Sequence, residues 1–178
     1  AAYSARARSL TSIANQFANA DQFIALYGEA ESAARKAVAL APRFADAQST
    51  LGVVLYQGKL DIRGARQPFE VSRQLGPGDA NVLARFATFC SAVGRFNEAT
   101  EAMSQALRLD PLNPAMYNSA GFVQYSARLF AQAIPLYKKA LELNSKLPFA
   151  HAGIGNCYFA LNKLQDARTE YLLEPLDV

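Results

Sequence analysis

Three independent series of residues in this chain recur at one interval. Ala30, Ala65, Ala99, Ala133 and Ala167 are separated by 35, 34, 34 and 34 residues. Ala18, Gly52, Ala87, Gly121 and Gly155 are separated by 34, 35, 34 and 34. Pro42, Pro77 and Pro111 are separated by 35 and 34, with Ser145 in the fourth place. A shared period of this kind specifies an array of small units, each too small to bury its apolar face alone. About 34 residues hold two helices and two turns. Ala, the strongest helix former, is abundant, and Gly and Pro are few and scattered. The expected fold is therefore all-α, an α-α superhelix of five helix-turn-helix repeats.

Each recurring slot has a physical role. The small residues let two helices approach closely. Aromatic and Leu positions recur at helical spacing and form a core between stacked units. Asn113-Pro114 reads as an N-cap followed by Pro at the first helical position, and Asn97 is placed to cap the second helix of repeat three. Pro42, Pro77 and Pro111 each stop a preceding helix. Repeat two carries one extra residue, which the turn Gln57-Gly58-Lys59-Leu60-Asp61 accommodates. The expected core includes Phe17, Leu51, Phe86, Phe96, Tyr117, Phe130, Tyr137, Ile154, Tyr158 and Tyr171.

At this period and with these slots the chain resembles the tetratricopeptide-repeat family. Repeat four carries Tyr117, Ala120-Gly121, Phe130, Ala133, Tyr137 and Ala140-Leu141, and repeat three carries Leu83, Phe86-Ala87, Gly94, Phe96, Ala99, Ala106-Leu107 and Pro111. Repeat five gives His151, Ile154-Gly155, Tyr158, Leu164, Ala167 and Tyr171; repeat two gives Leu51-Gly52, Leu55, Ile62, Ala65, Phe69 and Pro77. Repeat one is the most degenerate, with Phe17-Ala18, Tyr27, Ala30 and Pro42, and with Asp21 at a usually apolar position. The expected boundaries are 11–44, 45–79, 80–113, 114–147 and 148–174. Residues 1–10 form an N-terminal segment able to extend the first helix, and 175–178 a truncated tail. Some runs, such as EAESAARKAVALAP, also look like the repeat segments of large bacterial signalling proteins, where they follow a nucleotide cyclase or a winged-helix domain.

The resemblance implies a binding groove lined by the first helix of each repeat. Its positions fall on Asn15, Asn19 and Gln22; on Ser49, Val53, Tyr56 and Gln57; and on Asn81, Ala84, Thr88 and Ser91. They continue on Asn118, Phe122, Tyr125 and Ser126, then Phe149, Asn156 and Phe159. This set is amide-rich, partly aromatic and free of Lys and Arg. Amides can pair with the backbone of an extended peptide, and Tyr and Phe are low-entropy apolar anchors. In chaperone-binding members of the family, Lys, Asn, Asn, Lys and Arg hold a peptide's terminal carboxylates. The corresponding residues here are Asn15, Asn19, Thr50, Asn81 and Arg85, so both Lys are missing and that use is disfavoured.

Catalytic and metal chemistry find no footing. There is one histidine, His151, at a slot where an aromatic normally packs, and its expected role is structural. Cys90 and Cys157 have no metal-ligand spacing and read as small core residues. Gly76-Pro77-Gly78 reads as an inter-repeat turn and Gly153-Ile154-Gly155 as a close-packing site within a helix. No nucleophile, metal or phosphate-binding motif occurs. The net charge of +3 is mild, with 15 acidic residues among 18 basic ones, which argues against nucleic acid. No stretch approaches the roughly 18 apolar residues of a membrane span, and the start lacks the apolar run of a signal peptide.

The expected function is a protein-protein interaction scaffold that takes a peptide or protein segment in its groove, with no cofactor, in the cytoplasm. The alternative is a regulatory or self-association module of a larger signalling protein. Because the last helix has no polar cap after it, Leu161, Leu172 and Leu173 are expected to be exposed. The natural chain is then expected to continue, and the fragment to self-associate.

Overall fold

A computed structural model describes residues 1–174 of the chain; the tail at 175–178 lies outside them. Every element among the described residues is helical. The chain divides into two compact units, Ala1–Phe89 and Cys90–Val178, with the division inside one helix.

The first unit contains α1 (Ala2–Phe17), α2 (Ala20–Leu40), α3 (Ala45–Val53), α4 (Ile62–Leu75) and most of α5 (Ala80–Ala92). Helices α1 and α2 form one closely packed pair, and α3 and α4 the next. The first pair is built from small side chains. Ser4, Ala7, Thr11 and Ala14 are the buried row of α1, and Ala30, Ala33, Ala34 and Ala37 accompany Tyr27 on α2. Small residues at this helical spacing bring the two backbones close. Further along, Phe69 and Phe89 stack at 4.6 Å, and Tyr56 meets Phe89 edge-on at 5.8 Å.

The second unit contains α6 (Phe96–Leu109), α7 (Pro114–Ser126), α8 (Phe130–Leu143), α9 (Ala150–Ala160) and α10 (Leu164–Leu173). The pairs α7–α8 and α9–α10 repeat the same hairpin, and α8 packs on α9. Ala133, Tyr137, Ile154 and Cys157 form the buried cluster there, with Tyr125, Phe130 and Tyr158 against it. Asn113 caps α7 by accepting from Ala115 N at 3.0 Å, with Pro114 at the first helical position.

The helix-to-helix turns after the first hairpin share a 34-residue rhythm. Leu60, Gly94, Arg128 and Asn162 all have positive φ, at 52°, 79°, 62° and 59°. The left-handed residue lets the chain reverse between the two helices, and only one of the four positions carries the glycine that adopts it freely.

Four expectations are corrected. The first hairpin does not keep the expected boundary at residue 11: the segment 1–10 extends the first helix back to Ala2, and the chain turns at Ala18-Asn19. Phe17 therefore sits at the end of α1 and is 69% exposed, not core. Phe96 and Tyr171 are also exposed to more than a third, while Leu51, Phe86, Tyr137 and Ile154 are buried as expected. Asn97 lies inside α6, whose N-cap is Arg95. The extra residue of repeat two is taken up mainly as a π-helical turn over Val54–Gly58, the usual form of a one-residue insertion in a helix.

Candidate functional site

The first helices of the hairpins carry the expected binding positions, and the two units treat them differently. In the first unit most are drawn into internal contacts. Asn19 is the N-cap of α2, forming a reciprocal capping box with Gln22. Both are thereby removed from the expected groove. Asn15 accepts from the Tyr27 hydroxyl at 3.0 Å, and Gln57 lies 3.4 Å from the same oxygen. The π-helical turn positions Gln57 there, beside Gly58. Burial pushes the Tyr27 hydroxyl pKa upward, partly countered by the bond to Asn15. Ser49 is buried, and Tyr56 is half-buried against Phe89. Thr88 donates to its own helix at Ala84 O, and Asn81 stays exposed.

The first unit also holds what the sequence reading missed. Arg8 on α1 and Arg85 on α5 both bond Asp46 on α3, joining three first helices through one carboxylate. They line a cavity of about 670 Å³ together with Phe44, Asp79 and Asn81. The expected groove positions include neither Arg8 nor Asp46; Arg8 lies on the segment 1–10 that extends the first helix, upstream of the expected repeat boundary at residue 11.

In the second unit the expected positions are more available. Phe122 on α7 is 41% exposed and Phe159 on α9 is 63% exposed. Helices α7 and α9 are in contact. Asn118 lies one helical turn before Phe122. Its Oδ1 is buried and has no hydrogen-bond partner among the described residues, an arrangement that calls for a donor. Asn156 is exposed and accepts from the Tyr171 hydroxyl at 2.8 Å. Tyr125 is half-buried and rests on Phe130 at 5.4 Å, so it is as much a support as a contact. Phe149 is exposed and left-handed, at the start of α9.

The lone histidine joins two helices. His151 Nδ1 lies 2.7 Å from Glu170 Oε2, tying α9 to α10 with both side chains largely buried. Glu174 folds back to the start of α9, where it accepts from the amides of Phe149 and Ala152. A carboxylate at a helix N-terminus satisfies amides left without helical partners and favours the helix dipole. Cys90 and Cys157 are both buried and in no disulfide, and burial pushes the Cys157 thiol up to about 11. No group of three or more metal-ligating side chains occurs among the described residues. No described helix is long and apolar enough to cross a membrane.

Comparison with known proteins agrees with this architecture. Residues 91–148 and 123–176 match the family model described as tetratricopeptide repeat. Human tetratricopeptide repeat protein 13 is 31% identical over 114 residues, which cover 62% of this chain and 13% of that protein. The type IV pilus assembly protein PilF of Pseudomonas aeruginosa is 25% identical over 139 residues, covering 77% of this chain and 55% of PilF. In structure, P. aeruginosa PilF superposes with a TM-score of 0.68 at 22% identity, covering 97% of this chain and 77% of that one. A chain of the Cut9–Hcn1 hetero-tetramer superposes with a TM-score of 0.71 at 18% identity, covering 96% and 37%. The chain spans only 13% of the length of the first curated relatives it matches.

Proposed function

We propose that this chain, which folds as the tetratricopeptide-repeat structures do and matches the tetratricopeptide-repeat model over residues 91–176, is a protein-protein interaction scaffold that receives a peptide or protein segment on the first helices of its hairpins. The observation that carries this reading is the pair Phe122 and Phe159. Both are large apolar side chains left open on first helices, whereas Phe69 and Tyr137 on second helices are buried. Exposed aromatics flanked by amides suit an extended segment: the rings supply apolar anchors, and Asn118 and Asn156 can meet its backbone. The solved relatives include a pilus assembly protein and a subunit of a hetero-tetramer, which fits a scaffold role.

The test is selection of binding peptides from a random library against the whole chain. A Phe122→Ser/Phe159→Ser variant is expected to lose at least tenfold in affinity for the selected peptides, about 1.4 kcal/mol, with unchanged helicity. Equal binding by that variant would remove the assignment.

One observation favours a second reading, self-association within a larger signalling protein. Leu172 and Leu173 are both largely exposed at the end of α10, together with Leu164. The relatives named above give no support to the cyclase or winged-helix context. Light scattering on the whole chain separates the readings, since a strictly monomeric species at high concentration would contradict self-association through α10.

A further inference from the structure

We propose that the overhanging tip of the first hairpin, residues 13–26, is a docking surface for a second copy of this chain, which meets it tip against tip. The surface is separate from the first-helix positions read as a peptide-binding face, and it places self-association on α1 and α2 rather than on α10.

The tip exists because the first hairpin is longer than the one beside it. Helices α1 and α2 have 16 and 21 residues, whereas α4, α6 and α8 have 14 each. The turn between α3 and α4 reaches only to residues 27–31 of α2. There Gln57 lies 3.4 Å from the Tyr27 hydroxyl, and Lys59 Nζ lies 3.6 Å from Glu31 Oε2. Residues 20–26 therefore run about 10 Å past that turn, at a rise of about 1.5 Å per residue. Ile24 precedes Glu31 by seven residues, about two helical turns, and so faces the same side of α2. Glu31 meets the second hairpin on that side; Ile24, beyond its reach, is 67% exposed.

The tip is also open elsewhere. Ile13 and Phe17 of α1 line an apolar cavity of about 380 Å³ with Ala18, Gln22, Ala25 and Leu26. Gln22 is committed to the capping box with Asn19, so the lining left for a partner is apolar. Ile13 is 46% exposed and Phe17 69%. Exposed apolar side chains gathered in this way mark an association site.

Charge selects the partner. Asp21 is the only charged residue from Ser9 to Gly28, and no Lys or Arg occurs from Ser9 to Ala34. Docking on an anionic membrane surface draws on Lys and Arg beside the apolar residues, and the tip has none. The basic residues Arg6, Arg8, Arg35 and Lys36 lie at the opposite end of the hairpin, where Lys36 sits 4.7 Å from the Tyr3 ring. Residues 1–89 as a whole hold ten Lys and Arg against seven Asp and Glu. A second copy brings the same excess, so an approach through the basic end is repelled, and the tip is the part of the hairpin without cations. A helix of this length spans about 30 Å, well beyond the screening length of about 8 Å at physiological salt. Tip against tip thus keeps the two basic ends apart. The cores of homodimer interfaces are apolar and poor in charge, and two helical hairpins joined on apolar faces bury them as a four-helix bundle does.

The test is sedimentation equilibrium on the whole chain from about 5 to about 200 µM, a range suited to a small interface. A dimer is expected to form within that range. Phe17→Ser/Ile24→Ser, at two exposed positions, is expected to be monomeric with unchanged helicity, whereas Leu172→Ser/Leu173→Ser is expected to remain dimeric. A charge swap identifies the partner as a second copy. Ala25→Lys and Ala25→Glu, at an exposed position lining the cavity, are each expected to be monomeric alone and to form a dimer when mixed in equal amounts. The proposal is overturned if the chain is monomeric throughout, or if the dimer survives Phe17→Ser/Ile24→Ser. It is overturned equally if the dimer is lost with Leu172→Ser/Leu173→Ser, which assigns association to α10, or if the Ala25 variants fail to associate on mixing. Phe17-dependent flotation of the chain with phosphatidylcholine–phosphatidylserine vesicles would also overturn it, because the tip would then serve a membrane surface.

Discussion

Gly153 on α9 lies against the ring of Tyr137 on α8, so closely that a Cβ at residue 153 would stand 2.6 Å from Tyr137 Cε1. The same ring also lies against Gly121 on α7, where a Cβ would stand 2.8 Å from its Cδ1 and Cε1. The Tyr137 ring thus packs against two first helices. The pairing recurs as Gly52 with Phe69 and Gly155 with Tyr171, and it explains the small-residue series in the sequence. Gly153→Ala is expected to destabilise the chain by about 1–3 kcal/mol through overpacking, measured by urea denaturation. Gly78, which has open space around it, serves as the control.

The left-handed turn residues predict an effect of opposite sign. Leu60 is left-handed, with φ of 52°, and largely exposed, so its side chain contributes little packing. Leu60→Asn is expected to stabilise the chain by roughly 0.5–1 kcal/mol, because Asn tolerates this conformation better than a bulky apolar residue. Gly94→Ala is expected to cost about 1 kcal/mol for the converse reason. Thermal melts of both variants check the pair.

These turns also show where the sequence was legible and where it was not. The period of 34 came from close contacts such as Gly121 with Tyr137, which constrain residue type strongly, so the hairpins from residue 45 onward were readable. The first hairpin obeys other rules. Its helices pack through Ala, Ser and Thr, residues that look alike in any helix, and Ala18 matched the small-residue series while standing in a turn. That coincidence placed Asn19 and Gln22 in the groove when they cap α2, and it left Arg8 outside the repeats. The ion pairs of Arg8 and Arg85 with Asp46 span 38 and 39 residues, a separation no local pattern signals. Exposure of Phe122 and Phe159 followed directly from the repeat register.

Alkaline pH is expected to weaken the fold. Burial raises the Cys157 thiol to about 11 and the Tyr137 hydroxyl well above its ordinary value. A group whose folded pKa is raised holds its proton more tightly when folded. Its contribution is complete below the unfolded pKa, about 8.5 for Cys and about 10 for Tyr, and is lost as pH rises toward the folded value. Stability measured by urea denaturation is therefore expected to fall from about pH 9 upward, with Cys157 unreactive to thiol reagents in the native chain near pH 8. A stability constant to pH 11 would contradict the burial of these two groups.

Phe130 tests the core of the second unit. It is half-buried on the Ala133–Tyr137 cluster, touches Tyr125, and lies under the Arg128 guanidinium at 5.6 Å. Phe130→Ala is expected to cost about 3 kcal/mol, at the low end for an aromatic truncation because the ring is not fully enclosed. An unchanged melting temperature would show that α7 and α8 do not pair as described.

The most direct test of the scaffold claim locates a bound segment on the surface. A photo-crosslinking amino acid is placed in turn at position 122, at position 159, and at position 138, where exposed Lys138 lies on the second helix α8. Each version is irradiated with a peptide selected against the unmodified chain. Binding on the first helices predicts crosslinks from 122 and 159 and none above background from 138. Crosslinking from 138 with silence at 122 and 159 would place the partner on the second helices and contradict the account.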